Sequence, residues 1–478
     1  MRVHEQLYIG GEWVAPAGSD TITVLSPHTE QPVGRVPEAT TADVDRAVAT
    51  ARAAFDEGEW PRMSPSDRIA AIRRFADAYA ARIPEMAAVI TEEMGSPITF
   101  SNLAQSPAPW MMLNSFLDVA ESYPWEETRI GVLGSPVIVR RAPVGVVAAI
   151  VPWNVPQFVT MSKLAPALIT GCTVVLKPSP ETPLDAMLMG EILDEAQIPK
   201  GVVSILPAGR EVGEHLVRHP GVDKVAFTGS TAAGRRIAAV CGDQLKRVTL
   251  ELGGKSAAIV LEDADLSNVL QSLVPYSMPI TGQVCFSLTR VLAPKSRKQE
   301  VLDAYVGAVQ QVKVGDPQDP ATQMGPLAMQ RQLERVQGYI AKGKSEGAKI
   351  VTGGGRPKNL TRGYFIEPTV FDGVTGSMTI AREEIFGPVV SFIEFDSVDD
   401  AVRKANDTVY GLHGAVYTAD PERGYEIARR MRSGSITVNG MIVDPKMPFG
   451  GFKQSGIGRE GGVEGLDPYF ELKTIYFA

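Results

Sequence analysis

From residue 144 to residue 241 the chain repeats one arrangement: a short apolar run, a turn, then an amphipathic stretch of helical period. The apolar runs fall at 144–151, 173–176, 202–206 and 225–228, and the helical stretches at 163–170, 183–196, 211–218 and 232–241. Runs this nearly apolar throughout belong to strands covered on both faces, and an intervening helix supplies the crossover that parallel strands need. Few topologies accommodate that alternation. It predicts an α/β fold built on a doubly wound parallel sheet of the nucleotide-binding kind, whose ligands collect at the carboxyl ends of the strands.

Three of those strand ends carry suitable chemistry. Lys177 and Ser179 follow the second run, Gly209, Arg210 and Gly213 follow the third, and Thr228-Gly229-Ser230 leads the fourth into a helix. Backbone N–H groups at such a helix start can hold a phosphate. None of the three is GxGxxG, and any one alone reads equally well as an ordinary glycine cap or turn.

Outside this region, 8–36 reads as short strands, with a Gly-Gly hairpin at 8–13. Helices are expected at 41–55, capped by Thr41 and Asp43, and over 66–94, split near Pro84. A further helix over 102–123 carries Trp110, Met111, Leu113 and Phe116, a face read evenly as core or as the wall of a substrate tunnel. After Gly254 the alternation resumes, with strands at 257–260 and 389–395 and helices at 301–312, 333–346, 398–406 and 425–431, which predicts a second α/β domain. The tail at 471–477 alternates as a strand. Unpaired it would leave an open edge, so pairing with another subunit is expected.

Composition excludes several classes. Lysine plus arginine less aspartate plus glutamate gives 47 − 55 = −8, which argues against nucleic acid and against a basic membrane surface. The longest apolar stretch, 144–153, is broken by glycine and proline and is too short to span a bilayer. Cys172, Cys241 and Cys285 form no CxxC pair, which disfavours zinc and disulfide frameworks and points to a reducing, cytoplasmic location. His215 and His219 stand at helical i,i+4 spacing but lack the glutamate of a zinc motif, so a solvated face is expected and no metal site.

Cys285 lies in Gly282-Gln283-Val284-Cys285-Phe286, Glu251 precedes Leu252-Gly253-Gly254-Lys255, and Asn154 sits in Pro152-Trp153-Asn154-Val155-Pro156. A thiol, a carboxylate and a carboxamide can serve as nucleophile, base and oxyanion donor. Read alone, Cys285 is a buried hydrophobe, Glu251 an ion-pair partner for a lysine such as Lys255, and Asn154 a turn residue. The order of these motifs, together with Lys177-Pro178-Ser179, Phe227-Thr228-Gly229-Ser230, Glu383-Glu384-Ile385-Phe386-Gly387-Pro388 and Pro448-Phe449-Gly450-Gly451-Phe452-Lys453, resembles the NAD(P)-dependent aldehyde dehydrogenase superfamily over essentially the whole chain.

That resemblance implies an aldehyde-dehydrogenase-like fold: a Rossmann-type cofactor domain (1–120 and 144–250), a catalytic domain (251–440), and a small β extension for oligomerisation (121–143 and 456–478). It implies oxidation of an aldehyde to the acid by a homodimer or homotetramer, through a thiohemiacetal and a thioester on Cys285. Asn154 would hold the oxyanion, Glu251 would activate water, and Lys163 would lie near the proton path. Lys177 would bind the adenosine ribose and Ser230 the pyrophosphate, with Glu384 and Phe386 at the nicotinamide riboside; Trp153, Ser179, Gly209, Gly213 and Gly229 complete the cofactor set. Many NAD-preferring members carry glutamate where this chain has Pro180, with Glu181 displaced by one, so NAD is expected first and NADP remains open. Ile280 replaces a frequent asparagine, and Ser162 stands where a bulky aromatic is common. Phe158, Ile280, Val443 and Phe449 then predict an apolar entrance and an apolar aldehyde, aliphatic or aromatic. A CoA-acylating relative is the alternative; that branch usually lacks the Glu251 carboxylate.

Overall fold

The apolar runs are buried strands. In the computed structural model, which describes residues 1–477, Val146–Ile150, Thr173–Lys177, Val203–Ile205, Lys224–Thr228 and Arg247–Glu251 form the parallel centre of an eight-stranded sheet. Taken in chain order, they lie third, second, first, fourth, fifth across the sheet. Winding therefore reverses between Val146–Ile150 and Lys224–Thr228, and beyond the carboxyl ends of two such strands a crevice opens. Leu7–Ile9 and Glu12–Val14 extend one edge as the expected hairpin, with Gly10 and Gly11 at φ 60° and 76°. Gly456–Ile457 adds a short antiparallel strand at the other edge.

The helix Pro156–Thr170 lies against this sheet and is itself covered by Pro65–Ala81 and Pro107–Glu121, so nearly all of its residues are buried. A helix buried all round forces every polar side chain on it to find a partner. Ser162 and Lys163 are two of those side chains.

The second α/β unit is a seven-stranded sheet, parallel except for Lys349–Thr352. Its strands Arg290–Pro294, Thr369–Asp372, His413–Tyr417 and Ser435–Val438, and the helix Leu266–Ser277, lie outside the segments read from sequence, although Leu266, Val269, Leu270, Leu273 and Val274 are spaced as one apolar helix face. Several are only four or five residues long, and Pro275 interrupts the helix.

The tail strand Phe470–Tyr476 pairs antiparallel with Pro136–Pro143 of its own chain, which in turn pairs with Glu126–Ile130, and it is the outer strand of that three-stranded sheet. Gly456–Ile457 pairs with Arg247–Glu251. Two expectations are corrected. The first long helix runs Thr41–Asp56 with Thr40 as its cap, in a capping box with Asp43. The stretch at 102–123 is not one helix: a π-helical turn, Ser101–Gln105, precedes Pro107–Glu121. There Leu113 and Phe116 are core, whereas Trp110 and Met111 are 37% and 51% exposed.

Candidate active site

The turn before Cys285 is strained. Ile280, Thr281 and Gly282 follow one another at φ 48°, 59° and 70°, a left-handed run that a β-branched residue adopts only when its surroundings hold it there. Those surroundings are specific. Thr281 Oγ1 donates to the Gly325 carbonyl at 2.9 Å, Gln283 Nε2 donates to the Ile280 carbonyl at 3.0 Å, and Ala328 N–H donates to Gln283 Oε1 at 2.9 Å. Asn154 Nδ2 donates to the Gln283 carbonyl at 2.8 Å, so the carboxamide lies against the segment that delivers the thiol. Ile280 is thereby spent on the turn; it is 7% exposed and packed in the core, not part of an open entrance.

The glycines of Leu252-Gly253-Gly254 let three chain segments converge. A Cβ on Gly254 would stand 2.3 Å from the Cys285 carbonyl oxygen, and one on Gly253 would stand 2.4 Å from Glu384 Oε2. Gly254 N–H instead donates to Glu384 Oε1 at 2.9 Å. Burial raises the Glu384 carboxyl to about 7, with the Gly254 N–H opposing the rise. The Glu384-Ile385-Phe386 loop is clamped from the helix Gln330–Ser345: Arg335 donates to the Glu384 carbonyl at 2.5 Å and Gln332 to the Phe386 carbonyl at 2.6 Å. Phe386 stands edge-on to Trp153, with ring centroids 5.4 Å apart.

Glu251 ends the last parallel strand and is 4% exposed. Neither of its carboxylate oxygens has a hydrogen-bond partner among the described residues. Burial, then the neighbouring Glu460, pushes its pKa well above the ordinary carboxylate range, while Lys163 and Arg459 oppose. It forms no ion pair with Lys255, whose own ammonium is buried and unpartnered among the described residues. Lys163 Nζ donates to Glu460 Oε1 at 2.5 Å and to Thr228 Oγ1 at 2.6 Å. Ser162 Oγ donates to Glu460 Oε2 at 2.7 Å, so this serine faces the ionic cluster. Glu460 escaped the sequence reading, its only hint being one acidic side chain in the glycine-dense stretch 450–462, and Thr228 entered it as part of the cofactor turn and not as a partner of Lys163. Cys285 is partly exposed, and burial, then Glu384 and Glu251, holds its thiol above its ordinary pKa.

Two cavities, of about 370 and 590 Å³, share Arg210 and Ser230 and so make one cleft along the reversal point of the sheet. The first is walled by Val217, Phe227, Ile237 and Val240, with Lys177, Gly213 and Arg210 also on its lining. The second is lined by Trp153, Asn154, Thr228, Gly229, Glu384, Phe386 and Cys285. Lys177 is 6% exposed and, among the described residues, its ammonium bonds only the Pro178 carbonyl, at 3.1 Å, which leaves donors for a ligand; burial lowers it to about 8. Ser230 caps the helix Thr231–Asp243. Gly209 starts the helix Arg210–Arg218, its N–H donating to Glu38 at 3.3 Å, and Ser179 is bonded to Glu181. His215 and His219 both turn toward Asp45, at 2.6 and 3.6 Å. Among the described residues no group of three or more His, Cys, Asp or Glu is placed to hold a metal, and no helix is long and apolar enough to cross a membrane.

An apolar slot, a helix N-terminus and a buried lysine with free donors, in line toward a cysteine, fit a dinucleotide. Fold and cleft together define a dinucleotide-linked α/β oxidoreductase whose cofactor groove ends on a thiol. The aldehyde dehydrogenase family is matched over residues 13–475, and the chain belongs to that family: it oxidises an aldehyde to the carboxylic acid with NAD(P)⁺. It is 47% identical over 473 residues to the geranial dehydrogenase of Castellaniella defragrans, covering 99% of this chain and 98% of that one. Among solved structures, a Mycobacterium tuberculosis aldehyde dehydrogenase complexed with NAD⁺ is 46% identical with a TM-score of 0.98, covering 100% of this chain and 99% of that one. Aldehyde dehydrogenase C of Pseudomonas syringae, a cysteine-to-alanine mutant with NAD⁺ and octanal, is 41% identical with a TM-score of 0.96, covering 99% of this chain and 96% of that one.

Proposed function

We propose that the enzyme oxidises an apolar, chiefly aliphatic aldehyde, with Cys285 as nucleophile, Asn154 as oxyanion donor and Glu251 as the base that hydrolyses the thioester. Cys285, its thiol proton first lost to solvent, adds as the thiolate to the aldehyde carbon, and the resulting alkoxide is held by Asn154 Nδ2 and the Cys285 N–H. A dinucleotide held in the groove would supply the hydride acceptor for oxidation of this adduct to the thioester. Glu251 takes a proton from water as the water oxygen attacks the thioester carbon. The C–S bond then breaks, releasing the acid and the Cys285 thiolate. A carboxyl with a raised pKa and no protein partner suits that proton transfer, and this is the observation that carries the reading.

In the cofactor groove, Lys177 and Ser179 serve the adenosine ribose, Ser230 with the Gly229 turn the pyrophosphate, and Glu384, Phe386 and Trp153 the nicotinamide riboside. Gly209 and Gly213 keep the ribose side open; a Cβ on Gly213 would reach 3.0 Å from Lys177 Cε. Glu181, bonded by Ser179 and paired with Arg331 at 2.5 Å, keeps a carboxylate on the loop after Lys177, which favours a 2′-hydroxyl over a 2′-phosphate and hence NAD over NADP. Relatives named for geranial and crystallised with octanal support the apolar substrate class. The exposed side chains of Ile130, Leu472 and Tyr476 on the three-stranded sheet support a homo-oligomer joined there. Three free cysteines support a reducing, cytoplasmic setting.

The test is reduced-dinucleotide formation from octanal and geranial against betaine aldehyde and a semialdehyde acid, without CoA. Preference for the first two is expected, with full activity lacking CoA and none in Cys285→Ala. Equal or better turnover of the charged aldehydes refutes the substrate class, and a CoA requirement moves the enzyme to the acylating branch.

A further inference from the structure

Lys224 is fully buried, at the amino end of the strand whose carboxyl end is Thr228. Alternation along a strand puts Lys224, Ala226 and Thr228 on one face, and Thr249 with Glu251 on the same face of the neighbouring strand. That face meets the helix carrying Ser162 and Lys163. Lys224 Nζ donates to Thr249 Oγ1 at 2.7 Å and lies 4.7 Å from the centroid of the Tyr469 ring. The buried layer beneath these strands thus holds two carboxyl groups, Glu251 and Glu460, and two ammonium groups, Lys163 and Lys224.

We propose that Lys224 is a positioning residue for thioester hydrolysis: it is the second buried cation that, acting through Glu460, lets Glu251 stand ionised as a base. The inference rests on Glu251 being that base. Lys163 is committed to Glu460 at 2.5 Å. With that pair closed, an ionised Glu251 would lean on the partly exposed Arg459, whose guanidinium already donates to the Gly451 and Gly458 carbonyls at 3.2 and 2.7 Å, and a buried carboxylate so weakly compensated keeps its proton instead. A further cation in the same layer removes the imbalance. The groups facing Lys224 are Glu460 from the glycine-rich loop, Lys163 from its helix, Cys172 from the turn before Thr173–Lys177, Cys241 from the helix Thr231–Asp243, and Tyr469. The charges flanking it in the fold are taken elsewhere, Asp223 by Arg52 at 2.5 Å and Arg247 by Glu471 at 2.6 Å. Burial lowers the Lys224 ammonium to about 7, against the pull of Cys172 and Glu460.

The experiment measures kcat against pH for Lys224→Met, both as reduced-dinucleotide formation from octanal and as cofactor-independent hydrolysis of a p-nitrophenyl ester. The acid limb of both profiles should move up by about one pH unit, costing about tenfold near pH 7, and a pre-steady-state burst of reduced dinucleotide should grow as hydrolysis slows. Lys224→Arg should restore the limb. A Lys224→Met enzyme with wild-type thermal midpoint, wild-type limb and no added burst overturns the proposal. Should that variant not fold, Thr249→Val, which releases the ammonium from its acceptor, must shift the limb the same way, and an unmoved limb overturns it equally. Glu251→Gln is measured alongside. If that variant hydrolyses normally, the base assignment itself falls; if it is dead while Lys224→Met is unmoved, only the role of Lys224 falls.

Discussion

Asp185→Asn should stabilise the protein, and by more as the pH rises. Asp185 opens the helix Leu184–Glu195 and is 1% exposed; Glu93, equally buried, accepts the Leu184 and Asp185 N–H groups at 2.8 and 3.0 Å. Asp185 Oδ1 accepts from Gln157 Nε2 at 3.0 Å, and Oδ2 has no partner among the described residues. Burial raises Asp185 from 3.8 to about 8, with the Gln157 bond opposing, and burial followed by Asp185 itself raises Glu93 well above its ordinary range. A carboxyl raised in the folded state keeps a proton that the unfolded chain has already lost, so stability falls as pH rises from about 4 to about 8 and stays low above that. At 1.36 kcal/mol per pH unit, the interval from pH 5 to pH 8 removes about 4 kcal/mol, an upper figure because the two carboxyls share the penalty. Asparagine keeps the acceptor for Gln157 and removes one acid, so the variant should lose about 2 kcal/mol less than wild type over that interval. Thermal midpoints at pH 5, 6, 7 and 8 provide the assay, and the gap between the two proteins should widen by about 2 °C toward pH 8. Curves that run parallel would mean that neither carboxyl holds a proton there, and would refute the reasoning.

Two further outcomes follow from the site. Asn154→Ala loses the oxyanion donor and the bond to Gln283, so kcat should fall about 10²–10³-fold with a smaller effect on the cofactor Kd, measured by calorimetry. In the cofactor-free enzyme, alkylation of Cys285 by iodoacetamide should be slow at pH 7 and still rising above pH 9, because burial, Glu384 and Glu251 all hold the thiol up. Glu384→Gln should accelerate alkylation at pH 8 several-fold; an unchanged rate would exclude a field from that carboxylate.

Much of this protein is legible in its chain because the relevant signals are local. A mostly apolar run marks a doubly covered strand wherever it occurs, which is why 144–151 and 389–395 read correctly despite Gly145, Ser391 and Glu394, and why the reversal point beside Thr228-Gly229-Ser230 could be expected to bind a ligand. Cys285, Glu251 and Asn154 stood out by their company in short motifs. Which groups meet was another matter. Ser162 faces Glu460 across 298 positions of sequence, and Lys163 is 297 positions from the same carboxylate, so no window of helical or strand period contains both. The tail strand read as an edge, and so it is on one side; that its other side pairs with Pro136–Pro143 was not legible, because alternation reports a half-buried face and says nothing of which strand supplies the hydrogen bonds. Ile280 looked like a free apolar side chain near the nucleophile until its left-handed backbone turned it into the core. Local periodicity follows from backbone geometry and can be read one segment at a time. Charge balance, acid strength and strand partnership depend on what burial brings within a few ångströms, and only the assembled fold decides that.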